Sequence, residues 1–448
     1  MALHQPIATS FDVIIVGGRP AGASLALRLG AAGLRVLIID HARFPSRPAV
    51  SAPFLLPHAL ALLDELELDE REYAQNTPVL SRFVLEFGDA FRSELDFDEG
   101  PAIQGRQHFY AIDRGQLDGC LWRALARYPN VQALSGAHVL GVGWDDTGRA
   151  NQVQVRLADE TTQSFSARCI VGADGRYSTI ARAVGAPVIE ERTDLQTTLY
   201  YAHWTDVPPY APGYEDSAHI HASLDGFSFV FMPTAHGETM VAAQGRADRY
   251  LALPGAPQAV YEQLLAARPH VARRLQGARQ ASELSGIKRM DNLFRKAYGP
   301  GWALVGDAYH QKDSLDAQGI YDALLGAKLL AESLIAWHFG TSWDDALSGY
   351  ERSVWDALKP MFDATLQRVE RELFKTPPQL LARTVLRYVL TNPEYSRRFA
   401  QVVTRRADPR SLLPPAVMLG LAAGGALQRI RQRVMSPGLL DPTDPLRV

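Results

Sequence analysis

Residues 11–40 read FDVIIVGGRPAGASLALRLGAAGLRVLIID, and this stretch decides the fold. It opens with a short apolar strand at 11–16, passes through a glycine-rich turn into a small-residue helix at about 21–32, and closes with a second apolar run, 36–39, that ends on Asp40. A strand–turn–helix–strand unit with an acid about twenty residues beyond the glycines is typical of dinucleotide-binding sites. The stretch therefore predicts an α/β fold with a Rossmann-like domain at its amino end.

The residues of this turn have distinct roles in the pattern. Gly17 permits the tight turn, Gly22 lets helix and strand pack closely, and the helix amino terminus offers unpaired N–H groups to a pyrophosphate. Asp40 is placed to accept hydrogen bonds from an adenosine ribose. Arg19 replaces the middle glycine of G-x-G-x-x-G, so its side chain either crowds the pyrophosphate or swings out toward phosphate or flavin. The predicted cofactor-binding residues of this unit are Gly17, Gly18, Arg19, Ala21, Gly22 and Asp40.

Two further motifs lie far downstream and argue against a nucleotide-free strand–helix pair. Residues 169–178 read CIVGADGRYS, an apolar strand that runs into Ala-Asp-Gly and a helix start. Residues 301–308 read GWALVGDA, and Ala-Gln-Gly at 317–319 then opens a long helix. With these three motifs in this order, the chain resembles the single-component FAD monooxygenases of the para-hydroxybenzoate hydroxylase type over roughly residues 10–340.

The resemblance implies a role for each matching position. Asp307 corresponds to the carboxylate that bonds the flavin ribityl chain, and the 317–319 turn to the wall that faces the pyrimidine side of the ring. Asp174 with Gly175 corresponds to the pair that supports FAD and handles the nicotinamide nucleotide, and Arg114 to an arginine near the FAD phosphates or ribityl chain. The chain departs from the family pattern at two positions, with Ser314 for proline and Ala317 for glycine. The implied cofactor-binding residues are Arg114, Asp174, Gly175, Gly306, Asp307, Gln318 and Gly319.

Composition limits the classes of function. The formal net charge of −3 on 448 residues, without a long basic run, argues against a nucleic-acid partner. The two cysteines, Cys120 and Cys169, form no C-x-x-C pair, which argues against a disulfide framework or a zinc site. The first ten residues lack the pattern of a signal peptide, so we expect a cytoplasmic location.

The order of motifs predicts a discontinuous domain plan with a carboxy-terminal tail. Two β-rich insertions interrupt the FAD domain and would form one wall of a substrate pocket, and the tail is helical by pattern. Its apolar segment LLPPAVMLGLAAGGAL at 412–427, followed by arginines, is interpreted either as a peripheral membrane contact or, in preference, as a helix packed on the body. The predicted parts are 8–80, 101–190 and 285–340 for the FAD-binding domain, 81–100 and 191–284 for the β-rich substrate domain, and 341–448 for the helical region.

The resemblance also implies the reaction. FAD would be reduced by NAD(P)H and would react with O2, and an aromatic or polyketide-like substrate, free or tethered to a carrier or peptide, would be hydroxylated through a flavin C4a-hydroperoxide. A neutral histidine suits a base near neutral pH. The candidate catalytic residues are therefore His310, beside the Gly-Asp motif, and His219, His221 and Tyr201 in the predicted substrate sheet. We predict no metal, because two histidines without a nearby acid are weak evidence for one.

Two other functions stay open on this scaffold. One is a reductase or dehydrogenase of an isoprenoid or other apolar substrate, and the other is a flavin-binding protein without catalysis. A halogenase is disfavoured because the chain has no W-x-W-x-I-P segment. A monooxygenase consumes oxygen in step with its substrate, a reductase works without oxygen, and a binding protein turns over no NAD(P)H.

Overall fold

The structure is a computed structural model, and it describes residues 9–46, 51, 53–88, 91–97, 102–103, 105–223, 225–375, 392–411, 420 and 423. The predicted apolar segment 412–427 therefore lies outside the described residues, apart from Gly420 and Ala423. Within the described part of the chain, no helix is long and apolar enough to cross a bilayer. The cytoplasmic location stays a prediction.

Strands and helices follow the order that the motifs predict. The strands are β1 (Ser10–Val16), β2 (Val36–Asp40), β3 (Phe54–Leu55), β4 (Arg82–Phe87), β5 (Phe91–Asp96), β6 (Tyr110–Ala111), β7 (Val131–Ser135), β8 (His138–Trp144), β9 (Ala150–Arg156), β10 (Thr162–Gly172), β11 (Val188–Glu191), β12 (Thr197–Thr205), β13 (Ser217–Ser223), β14 (Phe227–Pro233), β15 (Thr239–Arg246), β16 (Arg279–Gln280), β17 (Ser285–Ile287), β18 (Leu293–Arg295), β19 (Tyr298–Gly299), β20 (Trp302–Leu304) and β21 (His310–Gln311). The helices are α1 (Pro20–Ala31), α2 (Pro57–Asp64), α3 (Glu70–Tyr73), α4 (Arg114–Ala124), α5 (Thr179–Ala183), α6 (Ala247–Leu251), α7 (Pro257–Ala266), α8 (Pro269–Arg274), α9 (Gly319–His338), α10 (Trp343–Val369) and α11 (Pro393–Val403).

A parallel sheet carries the three sequence motifs. Its central order is β20-β10-β1-β2-β7, and every neighbouring pair in that run is parallel. Continuous apolar strands such as β1, buried over residues 11–16, are expected where helices cover both faces of a sheet. Because parallel strands end at the same edge, Gly17, Asp40, Ala173 and Val305 come together there. The predicted α/β, Rossmann-like architecture is confirmed.

A second, mostly antiparallel sheet shares no strand with the first. Its order is β16-β12-β15-β14-β13-β4-β5, so the two predicted β-rich insertions join in one sheet through the parallel pair β13–β4. Side chains alternate between its faces along β12. Leu199 and Tyr201 lie in one apolar cluster, whereas Tyr200 and Ala202 lie in another that includes residues of helix α7. The predicted domain boundaries stay a prediction.

The carboxy-terminal region is mostly helical in the part that the structure describes. Helix α10 packs against α9 and continues into a π-helical turn at Glu370–Phe374. Helix α11 places Phe399, Ala400 and Val403 in the apolar cluster that contains Leu199 and Tyr201. The predicted helical tail therefore packs on the face of the second sheet that carries Leu199 and Tyr201.

Candidate active site

The glycine turn after β1 makes a cradle that a side chain would fill. Gly17 has a φ of +106°, and a Cβ there would lie 2.3 Å from the Ala173 carbonyl oxygen. A Cβ on Gly22 would lie 1.8 Å from the Gly17 carbonyl oxygen, so α1 approaches the turn closely. The amino end of α1 thus meets the edge of the sheet, with backbone N–H groups available to a phosphate. This arrangement fits the pyrophosphate of a dinucleotide.

The carboxylate at the end of β2 supports the turn from the other side. Asp40 accepts a hydrogen bond from the Gly18 N–H at 2.6 Å and from the Ala42 N–H at 2.7 Å. The side chain is buried and lines the cavity described below. Asp40 therefore fixes the turn in addition to standing where the sequence predicts a ribose contact.

The departure at Arg19 has a structural reason. Its guanidinium swings out from the turn to Asp118, with 2.5 Å between Nη1 and Oδ2, and lies 5.7 Å from the centre of the Phe44 ring. Arg114 reaches the same carboxylate, with Nη2 3.0 Å from Oδ1. Asp118 is not among the residues predicted from the sequence, although its i,i+4 spacing from Arg114 on one helix is a visible signal. One fully buried carboxylate thus orients two cations that line the cavity.

The Asp-Gly motif is partly used within the protein. Asp174 accepts hydrogen bonds from the Ser178 hydroxyl at 2.5 Å and the Thr179 N–H at 2.6 Å at the start of α5. Burial raises the pKa of Asp174 above its ordinary value. Gly175 has a φ of +80°, and the next residue, Arg176, reaches across to Asp307 with 3.1 Å between Nε and Oδ2. The Nη1 atom of Arg176 is buried without a hydrogen-bond partner among the described residues, so a donor is available at this point.

The turn before α9 shows why the family pattern has glycine at position 317, where this chain has alanine. Ala317 has a φ of +54°, a left-handed conformation in which glycine is favoured. A non-glycine residue costs about 1 kcal/mol or more there, so surrounding contacts must hold the turn. Ala317, Gly319 and Asp307 all line the cavity, and Gly306 precedes them with a φ of +63°. The third motif therefore contributes a strained segment to the site.

His310 lies in this wall, buried and uncharged. Its ring centre is 4.4 Å from that of Phe294, and its Nε2 has no hydrogen-bond partner among the described residues. Burial lowers the pKa of His310 to about 3. A neutral imidazole that lines the cavity is suited to accept a proton, and its catalytic role stays a prediction.

His219 and His221 lie on β13, away from the residues that line the cavity. They are on the face of the second sheet opposite to Ala218, and they do not line the cavity. One ring nitrogen of each histidine contacts the same oxygen of Glu86: His219 Nε2 lies 2.9 Å from Oε2, and His221 Nδ1 lies 3.2 Å from it. This acid is not among the residues predicted from the sequence, because β4 reaches β13 only through sheet pairing. Their position does not support a direct role in the reaction, and the predicted catalytic role of both histidines stays a prediction.

The Glu86 cluster also has the wrong hydrogen bonding for a metal. A guanidinium N–H of Arg274 donates to His219 Nδ1 at 3.0 Å, since arginine can only donate. Burial lowers the pKa of His219, which favours the neutral ring. The proton of that neutral ring then lies on Nε2, the atom that faces Glu86. A bound cation would need that nitrogen free and would lie close to the arginine charge. The hydrogen bonding therefore favours an ionic network over a metal site.

One cavity of about 690 Å³ connects the three motifs with the second sheet. Asp40, Gly17, Asp174 and Asp307 line one part of it. The sheet residues Leu199 and Ile287, with Met290 from the loop after β17, line the other. Tyr201 lies in the apolar cluster behind this wall but is not a lining residue. The volume is in the range of cofactor and ligand sites.

Replacing Asp307 by alanine tests the assignment of the third motif. We expect the Asp307→Ala variant to bind FAD at least tenfold more weakly, because the cavity loses the carboxylate that faces Arg176. The measurement is titration of apoprotein with FAD, followed by flavin fluorescence. Asp344→Ala, in the exposed first turn of α10, is the control. Full flavin occupancy with unchanged affinity in Asp307→Ala would show that the assignment is wrong.

Acid should destabilise the protein through two buried imidazoles. Burial lowers the pKa of both His58 and His310 to about 3, so the unfolded chain binds protons between about pH 6.5 and pH 3 that the folded protein excludes. The free energy of unfolding therefore has its full value above pH 6.5. Below pH 6.5 it falls by about 1.4 kcal/mol per pH unit for each imidazole. Glu86, whose pKa its histidine partners lower despite burial, adds a loss of the same sign. We expect the urea midpoint to fall less between about pH 7 and about pH 5 in His58→Leu than in the wild type, whereas an equal fall would contradict the prediction.

Comparison with known proteins agrees with this site. A sequence model of the family described as "FAD binding domain" matches residues 10–365. The chain is 26% identical to the 3-(3-hydroxy-phenyl)propionate/3-hydroxycinnamic acid hydroxylase of Comamonas testosteroni over 452 residues, covering 96% of this chain and 69% of that protein. It is 27% identical to the menaquinone reductase of Mycobacterium tuberculosis (strain ATCC 25618 / H37Rv) over 353 residues, covering 76% of this chain and 80% of that one.

Solved structures show the same fold at lower identity. The flavin-dependent brominase Bmp2 matches with a TM-score of 0.78 at 17% identity, covering 95% of this chain and 100% of that one. The p-nitrophenol 4-monooxygenase PnpA of Pseudomonas putida DLL-E4 matches with a TM-score of 0.73 at 18% identity, covering 89% and 99%. The glycine cradle and the family match together lead to one conclusion: the chain belongs to the family of flavoproteins built on this FAD-binding domain.

Proposed function

We propose that the protein is an FAD-dependent monooxygenase that uses NAD(P)H and O2 to hydroxylate an aromatic or polyketide-like substrate. The observation that carries this proposal is the single cavity that runs from the dinucleotide cradle to an apolar sheet wall. Cofactor and substrate would occupy the two parts of one continuous cavity, which would bring the reacting atoms together as oxygen transfer to a substrate carbon requires. The similarity to an aromatic hydroxylase over 96% of this chain supports the same reaction class.

The residues of the chain would bind, orient and exclude water. Asp40, with the α1 amino terminus, would hold the adenosine and pyrophosphate, and Asp307 would hold the ribityl chain. Bound FAD supplies hydride acceptance and oxygen activation. Leu199, Ile287 and Met290 would keep water from the reacting centre. The neutral His310 would accept a proton from a phenolic substrate.

A second candidate function is reduction of an isoprenoid or quinone substrate. The specific observation in its favour is the similarity to menaquinone reductase, which extends over 80% of that protein. An apolar wall of Leu199, Ile287 and Met290 also suits a prenyl chain. The two candidates share the cofactor site and differ in the use of oxygen.

Rapid mixing separates these functions. Purified holoprotein is mixed without oxygen with NADH or NADPH, in the presence of a panel of phenols and prenylated naphthoquinones, and the flavin absorbance is followed. Oxygen enriched in the heavy isotope is then admitted. Reduction followed by isotope incorporation into a phenol supports the monooxygenase. Loss of a prenyl double bond without oxygen supports the reductase, and a flavin that neither nucleotide reduces supports a binding role or a partner that delivers electrons.

A further inference from the structure

A segment beyond the matched family domain reaches the wall of the FAD cavity. Residues 392–411 follow residue 365, where the family match ends, and contain α11 and Arg405. Arg405 is 12% exposed, and its Nη2 lies 2.7 Å from Asp322 Oδ1 in the first turn of α9. Its Nε donates a hydrogen bond to Gln318 Oε1 at 2.6 Å. The carboxy-terminal segment therefore contacts the residues that open α9.

The contact is reciprocal. The Gln318 amide nitrogen donates to the Val403 carbonyl oxygen at 2.8 Å, so both ends of this amide are held by the same segment. The Arg405 guanidinium also lies 5.4 Å from the centre of the Tyr321 ring. Arg405 has a φ of +60°, a left-handed conformation that an arginine adopts only where its surroundings impose it. Ala317, on the other side of Gln318, is left-handed as well, so the turn depends on these contacts.

Arg405 is one of two cations that form ion pairs with the buried carboxylates around this turn. The Lys312 ammonium lies 2.7 Å from Asp316 and 2.9 Å from Asp322, and all three side chains are nearly inaccessible to solvent. Two cations therefore face two carboxylates in this buried cluster. The pKa of Asp322 is below its ordinary value. Burial alone would raise it, but the positive charges of Lys312 and Arg405 outweigh the effect of burial and keep the carboxylate ionised. Without Arg405, one buried negative charge at the start of α9 would be in excess.

This cluster borders the cofactor space. Lys312, Asp322, Ala317 and Gly319 all line the cavity. We propose that Arg405 is a positioning residue of the FAD site, which sets both the charge and the conformation of the turn at 317–322. The proposal requires that FAD binds and does not depend on which reaction the protein catalyses.

The test uses two properties of the flavin that do not depend on a substrate. These are the FAD dissociation constant of the apoprotein and the midpoint potential of the bound flavin, measured during slow reduction by xanthine and xanthine oxidase. In Arg405→Met we expect FAD affinity to fall at least tenfold. We also expect the equilibrium constant for reduction to fall about tenfold, near 30 mV for a two-electron couple, because a cation near the reduced flavin is lost.

Three further variants separate charge from structure. Arg405→Lys keeps the charge and should recover most of the potential but only part of the affinity. Arg405→Met/Asp322→Asn leaves Lys312 paired with Asp316 and no unpaired buried charge, so we expect it to fold even where Arg405→Met does not. It should show a potential near that of the wild type with weakened FAD binding. Arg398→Met, which removes only the half-exposed partner of Glu394 on α11, should change neither property. FAD affinity within twofold of the wild type in the double variant would overturn the proposal, as would an unchanged potential in a folded Arg405→Met.

Discussion

Gly22→Ala is expected to purify almost free of flavin, with FAD affinity reduced at least 100-fold, equivalent to about 2.7 kcal/mol. The reason is the 1.8 Å that would separate the new Cβ from the Gly17 carbonyl oxygen. Relief of that overlap must move α1 away from the turn, and the helix amino terminus then leaves the pyrophosphate position. The ratio of flavin to protein absorbance after purification, with FAD titration of the apoprotein, measures the effect.

A matched substitution separates this effect from a general helix effect. Gly349 lies within α10, and a Cβ there meets nothing within 4 Å. Gly349→Ala should bind FAD as the wild type does and gain up to about 1 kcal/mol of stability, as alanine does in a helix interior. Normal flavin content in Gly22→Ala would mean that the close approach of helix and turn is not needed for binding.

Asp118→Asn should destabilise the apoprotein by about 3 kcal/mol or more, because it leaves two guanidiniums without their shared buried partner. Arg19 and Arg114 both contact this fully buried carboxylate. FAD should restore part of the loss, since its pyrophosphate would supply negative charge to the same arginines. Thermal and urea unfolding of the apo and FAD-bound forms measure the difference.

The expected signature is a larger stabilisation by saturating FAD in Asp118→Asn than in the wild type. Glu394→Gln, which removes one partner of an exposed ion pair on α11, is the control and should change stability by less than about 1 kcal/mol. Equal stabilisation of Asp118→Asn and wild type by FAD would contradict a phosphate-facing role for the two arginines.

Local patterns were sufficient for the cofactor-binding unit. The spacing of Gly17, Gly22 and Asp40 predicts the strand–turn–helix–strand unit, and the structure forms it at Ser10–Val16, Pro20–Ala31 and Val36–Asp40. These features depend on backbone conformation and on side-chain periodicity over short stretches, which the order of residues expresses directly. The three motifs also predicted which segments share the cavity, because parallel strands end at one edge of the sheet.

Sequence reasoning did less well wherever a side chain has a distant partner. The same alternation that placed His219 and His221 together on one face left open which face lines the cavity. Glu86, the acid that both histidines contact, lies 133 and 135 residues away and arrives through the pairing of β4 with β13. A histidine pair in a predicted substrate sheet thus belongs to an ionic network whose histidines do not line the cavity.

The sequence by itself determined that the chain forms an α/β FAD-binding domain with an inserted β-sheet and a helical tail. Only the tertiary structure decided that Arg19 turns to Asp118, 99 residues away, and that Arg405 pairs with Asp322 across 83 residues. The physical reason is range. A glycine turn and a helix amino terminus act within a few residues, whereas the energy of a buried charge depends on whichever partners packing places beside it.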